Sequence, residues 1–420
     1  MKLLCAADLH LGRQASRLPE DLPRAGLSPA AAWRRLVDLA IAEGVVAVVL
    51  AGDVLDDEND FFEAFGDLRA GAQRLSDAGI RLVAVAGNHD VAVLPRLAQA
   101  VPGVSLLGAG GVWESLTLEL GGSAVNLVGW SWPQRTVVAS PLVGLDARLR
   151  SLPPGVTLGV LHCDLDQPQS RYAPVASADL QDGRVDAWLL GHVHKPTFAR
   201  VPGGTWVGYL GSVFAADPGE EGERGAWLLE VAGDGLGATP VPLSPVRYDS
   251  LTVDVSDVSS PDDAIAAISA AVLAHADEMP APAVGGPSVV GVRLSVVGRT
   301  PLAKGIRERL AKEDARTLRV TGDDVTCFVH DVRVEVRQDL DLPLLARRDD
   351  PVGLLARRLQ LIDGPASPER EALLERARAE MRAVESIRHY ANLEERELTD
   401  ELVAGALRRA ALRFLDEAAR

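Results

Sequence analysis

Acidic, amide and imidazole side chains recur in short clusters along the first half of the chain. In chain order the clusters are Asp8-Leu9-His10, Gly52-Asp53, Gly87-Asn88-His89-Asp90, His162 and Gly191-His192-Val193-His194. Carboxylate oxygen, amide oxygen and imidazole nitrogen suit Mn²⁺, Mg²⁺, Fe or Zn²⁺ better than a thiophilic metal. The clusters therefore predict a metal centre built from oxygen and nitrogen donors.

The sequence offers seven candidate ligands, which is more than one ion can use if it is to keep a coordination position open for substrate. The candidate ligands are Asp8, His10, Asp53, Asn88, His162, His192 and His194. Two ions roughly 3.5–4 Å apart, bridged by a carboxylate, would use them all and would clamp both oxygens of a phosphoryl displacement. Asp53 is the natural bridge, because its predicted strand is central. We expect two divalent ions, with Mn²⁺ first and Mg²⁺, Fe or Zn²⁺ as alternatives.

Each cluster taken alone has an ordinary structural explanation. The Asp8-Leu9-His10 cluster could cap a helix, Gly52-Asp53 could form a turn, and the two histidines after Gly191 could be a satisfied core pair. Their conjunction has no such explanation, because each cluster follows directly on an apolar run.

These apolar runs are nearly continuous, which is typical of strands that are covered on both faces. They cover residues 2–7, 45–51, 80–86, 125–130, 156–161 and 187–190. Helical patterns start at Ser28-Pro29 and at Asp60, and ligand sites of open α/β sheets lie at the carboxyl ends of the strands. The glycines before Asp53, Asn88 and His192 would let the backbone approach an ion or phosphate closely. We therefore predict an α/β fold, a two-sheet β-sandwich flanked by helices.

The sequence pattern changes near Pro245 and again near Leu345. We predict a catalytic domain over 1–245, a small α+β capping or DNA-binding domain over 246–345, and a helical C-terminal tail over 346–420. The tail has an apolar stripe at helical spacing, which could dock on a partner, fold back on its own domain or pair two copies of the chain. Its members are Leu402, Val403, Ala406, Leu407, Ala410, Phe414 and Leu415.

Composition excludes several classes of protein. The three cysteines lie far apart, which excludes a disulfide framework. The apolar stretches are much shorter than the roughly 20 residues of a membrane span. Asp8 interrupts the N-terminal apolar run too early for a signal peptide. We therefore expect a cytoplasmic protein without a membrane partner.

The complete series, Asp-x-His, Gly-Asp, Gly-Asn-His-Asp, His and Gly-His-x-His, resembles that of calcineurin-like metallophosphoesterases. Within that superfamily the chain is similar to the SbcD-type DNA-repair exonucleases, which act as the nuclease subunit beside an SMC-like ATPase. The stretches that carry this closer resemblance are residues 7–12, 191–196, 211–212 and 220–227.

The resemblance implies a role for each residue. One ion would be held by Asp8, His10 and His194, the other by Asn88, His162 and His192, with Asp53 bridging them. His89 would face the scissile phosphate and stabilise or protonate the leaving oxygen, and Asp90 would orient His89. The implied nucleophile is a water activated by the two ions. Asp56 departs from the family, since some members have a second catalytic histidine there, and Leu210 stands where relatives often have proline.

The implied function is that of a metal-dependent DNA exonuclease or endonuclease in double-strand-break repair, with DNA and an SMC-like ATPase (SbcC-type) as partners. A net charge of −16 opposes DNA binding. We therefore expect the ions and nearby basic residues (Arg13, Arg17, Lys195) to contact phosphates, and the isolated chain to bind DNA weakly. Two alternatives stay open: a small-molecule phosphodiesterase or phosphoprotein phosphatase on the same dinuclear site, and an ATPase regulator without catalysis. The second is disfavoured because no ligand is missing.

Overall fold

The computed structural model of the protein describes residues 1–56, 61–120, 122–181, 183–233, 235–282, 285–383 and 398–418. The strands are β1 (Lys2–Ala6), β2 (Ala47–Ala51), β3 (Arg81–Val85), β4 (Val104–Leu106), β5 (Glu114–Leu120), β6 (Ser123–Gly129), β7 (Val156–His162), β8 (Ala187–Gly191), β9 (Ala199–Arg200), β10 (Trp206–Tyr209), β11 (Gly225–Ala232), β12 (Gly235–Pro242), β13 (Val246–Asp254), β14 (Val289–Thr300), β15 (Arg319–Thr321) and β16 (Thr326–Gln338). The helices are α1 (Pro29–Glu43), α2 (Phe61–Asp77), α3 (Leu94–Ala100), α4 (Leu145–Leu149), α5 (Pro261–Asp277), α6 (Ala303–Lys312), α7 (Leu342–Leu345), α8 (Pro351–Asp363), α9 (Pro368–Ala383) and α10 (Asp400–Ala418).

Two six-stranded sheets form a sandwich, with strand orders β12-β11-β1-β2-β3-β4 and β5-β6-β7-β8-β10-β9. Strands β1 to β4 are parallel, whereas β11 pairs antiparallel with β1. In the second sheet β6, β7, β8 and β10 are parallel. The predicted α/β fold with a two-sheet sandwich is therefore confirmed.

Alternate side chains of the central strands enter different cores, as the two-residue period of a strand requires. Leu3 and Cys5 pack between the sheets against residues such as Leu158. Leu4 and Ala6 face the other way, into the core under the flanking helices. Because both faces are covered by apolar groups, the strands read as continuous hydrophobic runs.

Helix α1 begins and ends at the residues that its sequence predicts. The Ala31 N–H donates to Ser28 Oγ at 3.2 Å, and Pro29 occupies the first turn. Gly44 ends the helix with φ of 59°, a conformation that glycine adopts without steric cost. The predicted start of the second helix at Asp60 lies outside the described residues.

The remaining strands form a third sheet, in the order β13-β14-β16-β15. By its contacts the chain divides into two compact units. One comprises Met1–Thr252, Ile268–Ser295 and Asp314–Arg333, and the other comprises Val253–Ala267, Val296–Glu313 and Val334–Arg420. The domain boundaries proposed after residues 245 and 345 stay predictions.

Helices α8, α9 and α10 pack on one another through part of the predicted apolar stripe. Val403 and Leu415 of α10 are buried in small cores with residues of α8 and α9. Leu402 and Phe414 are exposed. Among the described residues, no helix has both the length and the apolar character to cross a bilayer.

Candidate metal centre

The clusters meet at one end of the sandwich, because each lies at the carboxyl end of a parallel strand. Asp8 and His10 follow β1, Asp53 follows β2, Asn88 follows β3, His162 ends β7, and His192 and His194 follow β8. Among the described residues, three groups have one donor atom from each member within 4.8 Å of the others, namely Asp8, His10, His194; then Asp53, His162, His192; and also His10, Asp56, His89. Asn88 Oδ1 joins the second group at 3.1 Å from His162 Nε2. The structure thus brings the seven predicted ligands together, with Asp53 in the second group, and both their binding of metal and the bridging role of Asp53 stay predictions.

Several of these residues have a backbone conformation that residues other than glycine rarely adopt. The φ angles are 50° for Asp8, 48° for His10, 47° for Asp53 and 107° for His192. Such conformations cost energy and persist only where the surroundings hold them. Here the His10 N–H donates to Asp53 O at 3.0 Å, and the His192 N–H donates to the Asp8 carboxylate at 3.1 Å. Strand-end strain is therefore concentrated at the predicted ligands.

The glycines beside the predicted ligands make room for neighbouring side chains. A Cβ atom on Gly52 or Gly191 would clash with the His162 ring, and one on Gly87 would clash with the Asp53 carboxylate. Close approach of an ion or phosphate to these glycines stays a prediction. They let the loops after β2, β3 and β8 pack around the donor atoms.

Three of the histidines predicted as ligands have an oxygen atom of a neighbouring residue close to one ring nitrogen. His162 Nδ1 lies 3.1 Å from Ala51 O, and His194 Nδ1 lies 2.5 Å from Glu220 Oε1. His192 Nε2 lies 3.3 Å from Asp164 Oδ1. Such partners fix the tautomer and the ring orientation and raise the basicity of the ligand nitrogen. Sequence reasoning missed Asp164 and Glu220, although Asp164 follows His162 by two residues and Glu220 lies in a stretch that carries the family resemblance.

Asp56 contacts two histidines through different atoms. Its Oδ1 lies 3.0 Å from His10 Nδ1. This distance suits an ion pair, but the two groups are not aligned for a hydrogen bond. This buried nitrogen therefore has no hydrogen-bond partner among the described residues. The backbone oxygen of Asp56 accepts from His89 Nδ1 at 2.7 Å, so His89 Nε2 is left for a substrate.

The prediction that Asp90 orients His89 is wrong. The buried Asp90 carboxylate accepts the Val54 N–H at 2.7 Å and the Gly87 N–H at 2.8 Å. A buried carboxylate must have its oxygens satisfied, and these backbone groups satisfy them. Asp90 thus ties the loop after β2 to the loop after β3, and the Asp56 carbonyl orients His89.

Buried charges in the centre shift each other's pKa values. Burial would raise the pKa of Asp53, but the charge and hydrogen bond of His162 lower that pKa well below its usual range. Burial would likewise lower the pKa of His162, but the charge and hydrogen bond of Asp53, with a smaller effect of Asp8, raise it to about 9. Burial and then the Asp53 charge raise the pKa of Asp90 to about 7. The centre therefore attracts positive charge, which a divalent cation would also supply.

The basic residues predicted to contact substrate lie in two places. The Arg13 N–H donates to His10 O at 3.0 Å. Arg13 therefore lies near the centre, and Arg17 is exposed on the same loop. Lys195 is also exposed but lines a cavity of about 450 Å³ to which none of the seven ligands contributes. Contact of these three residues with substrate stays a prediction.

Residues 1–196 match the family described as calcineurin-like phosphoesterase, and residues 248–337 match the middle domain of metallophosphoesterase YhaO. Residues 1–196, which include all seven predicted ligands, are thus similar to the calcineurin-like phosphoesterases, a family of hydrolases with a dinuclear metal site.

Among curated proteins, the chain is 27% identical over 263 residues to the "Uncharacterized metallophosphoesterase YhaO" of Bacillus subtilis, which covers 61% of this chain and 63% of that protein. It is 30% identical over 247 residues to the "DNA double-strand break repair protein Mre11" of Haloferax volcanii, covering 56% of this chain and 50% of the relative. The Halobacterium salinarum protein of the same description is 30% identical over 245 residues, covering 56% and 57%. The chain thus spans between one half and two thirds of the length of these relatives.

Proposed function

We propose that this phosphodiesterase-type hydrolase is a metal-dependent DNA nuclease, exonuclease or endonuclease, of double-strand-break repair. The observation that carries the proposal is the convergence of seven oxygen and nitrogen donors into two groups beside the exposed ring of His89. The identity of 30% to two proteins described as DNA double-strand break repair protein Mre11 supports DNA as the substrate.

The donor set fits two divalent ions, because it combines carboxylate, amide and imidazole groups with ring nitrogens already oriented by acceptors. Bound there, two such ions would supply Lewis acidity at the phosphoryl group and a lowered pKa for water. His89 adds acid catalysis from the protein. Its Nδ1–H donates to the Asp56 carbonyl, so in the imidazolium form Nε2–H would give its proton to the leaving oxygen and leave a neutral ring.

A partner for DNA binding is part of the proposal. The net charge of −16 disfavours tight DNA binding by the chain alone. We propose that an SMC-like ATPase of the SbcC type supplies further DNA contacts and docks on the apolar residues of α8 and α10 that are exposed, such as Leu354 and Phe414. Mixing this chain with such an ATPase should give a complex in size-exclusion chromatography, and the substitution Phe414→Asp should weaken that complex. Pairing of two copies of this chain would appear instead as a dimer without the ATPase.

Hydrolysis of end-labelled linear DNA with Mn²⁺ or Mg²⁺ tests the proposal. We expect cleavage by the wild-type protein, and a loss on the order of 10²–10⁴-fold in His89→Ala with unchanged metal content, because general acid catalysis contributes about that much. Cyclic nucleotides and phosphopeptides are assayed in parallel. Faster hydrolysis of either than of DNA would favour the alternative phosphodiesterase or phosphatase function and overturn the proposal.

A further inference from the structure

The loop that follows β7 holds an aromatic ring against the metal centre. The centroid of the Tyr172 ring lies 4.9 Å from that of His192, with the two planes inclined by 35°. The Trp132 ring lies 6.2 Å from Tyr172. Nevertheless 42% of Tyr172 is exposed. One side of the tyrosine therefore packs near a predicted metal ligand while much of the residue is open to solvent.

Hydrogen bonds fix this loop in one conformation. The Asp164 N–H donates to Tyr172 O at 2.8 Å, and the Ser170 N–H donates to Gln167 O at 2.9 Å. The Asp164 carboxylate contacts His192 Nε2 with one oxygen and accepts from Ser170 Oγ with the other. The position of Tyr172 is therefore set by the same residue that orients His192. A ring ordered in advance loses little entropy when a ligand stacks on it.

A cavity of about 610 Å³ lies along the loop, within the size range of small-molecule sites. Its lining combines one aromatic ring, amide groups, a cation and a hydroxyl, contributed by Asp164, Gln167, Pro168, Gln169, Ser170, Arg171 and Tyr172. A flat ring can stack on tyrosine, amides can pair with the edge of a base, and exposed Arg171 can contact a phosphate.

We propose that this cavity is the subsite for a nucleobase next to the hydrolysed phosphodiester, with Tyr172 as its stacking platform. The proposal deepens the proposed nuclease function, on which it rests for the identity of the substrate. It gives the loop a role in substrate specificity, in addition to the role of Asp164 in orienting His192.

Two chromogenic phosphodiesters that share the 4-nitrophenolate leaving group test the subsite. Thymidine 5′-(4-nitrophenyl phosphate) carries a base, whereas methyl 4-nitrophenyl phosphate does not, and the readout is the ratio of their kcat/KM values with Mn²⁺. Stacking is worth about 1–3 kcal/mol per base, so Tyr172→Ala should lower this ratio by roughly 5- to 150-fold. Tyr172→Phe should keep it, since the ring is retained. Leu120→Ala, which removes an apolar side chain that is 55% exposed at the end of β5, should keep it too.

A binding measurement gives a second readout that does not depend on turnover. The fluorescence of 2-aminopurine deoxynucleotide, which stacking quenches, should fall with the metal-free wild-type protein and with Tyr172→Phe but not with Tyr172→Ala. An unchanged kcat/KM ratio in Tyr172→Ala, or an equal loss with both esters, would overturn the proposal, because the tyrosine would then only support His192. A wild-type preference for the nucleoside ester that Tyr172→Ala removes, without cleavage of DNA, would reject the nuclease function but keep the base subsite.

Discussion

The end of the sandwich that carries the predicted metal ligands buries charged groups, whereas helices α8 to α10 expose hydrophobic groups. Asp53 and His162 are 2% and 0% exposed, while Leu354 and Phe414 are 47% and 59% exposed. Burying an ion costs several kcal/mol unless it is paired, so such groups persist where their charge is used. Exposed apolar groups of a helix mark a surface that another molecule can cover. From this contrast we propose that chemistry and association lie in different parts of the chain.

The largest effect should come from the residue that joins the two donor groups. Asp53 Oδ2 lies 3.2 Å from His162 Nε2 and 4.0 Å from His10 Nε2. Asp53→Asn removes a charge shared by both groups, so hydrolysis of bis(4-nitrophenyl) phosphate should fall on the order of 10³-fold or more. Asp38→Asn, at an exposed ion pair with Arg74, should leave the rate unchanged. Equal rates for Asp53→Asn and wild type would show that the centre takes no part in hydrolysis.

Substitutions of two neighbouring glutamates should have a smaller effect, which distinguishes a residue that orients a predicted ligand from one that does not. Glu220 accepts from His194, whereas Glu221 accepts from Arg293 Nη1 at 2.7 Å and from Ser250 Oγ at 2.8 Å. Glu220→Gln should weaken Mn²⁺ binding about 10- to 100-fold, which is the usual effect of removing such a carboxylate. Glu221→Gln should not weaken it. Mn²⁺ titration by calorimetry would decide, and equal affinities for the two variants would contradict a role of Glu220 in orienting His194.

The response to pH should have opposite signs with and without metal. The pKa of His162 is raised to about 9 in the metal-free protein, so its protonation stabilises the folded state. That stabilisation is complete below about pH 6.5, the unfolded pKa of histidine, and is lost as pH rises through 9. Mn²⁺ must displace the same proton, so its affinity should rise over that range. Melting temperatures with chelator and with Mn²⁺ between pH 6.5 and 9 would test this, and parallel trends would contradict it.

The sequence predicted which polar residues meet at the centre better than it predicted the residues that orient them. Each ligand follows an apolar strand, and parallel strands bring their carboxyl ends together whatever the loops do. The partners Asp164 and Glu220, and the ring of Tyr172, depend on how particular loops fold back, which the strand pattern does not determine. The role of Asp90 was wrongly predicted for the same reason, because sequence adjacency to His89 did not show that its carboxylate turns to backbone N–H groups.

Substitutions on the helical region should have the smallest effect on hydrolysis. Leu354 and Phe414 line an apolar cavity of about 390 Å³ on α8 and α10. Leu354→Asp and Phe414→Asp should therefore keep the rate for a small phosphodiester within about twofold, since exposed substitutions rarely change stability by more than about 0.5 kcal/mol. Loss of activity with a normal melting temperature would contradict the separation of chemistry from association.

The number of divalent ions bound per chain tests the central claim most directly. After equilibration with Mn²⁺ at pH 8 and removal of free metal, elemental analysis should find two ions per wild-type chain. Asp53→Asn should hold fewer, because the predicted bridge is lost. One ion or none in the folded wild-type protein would contradict the account of a dinuclear centre.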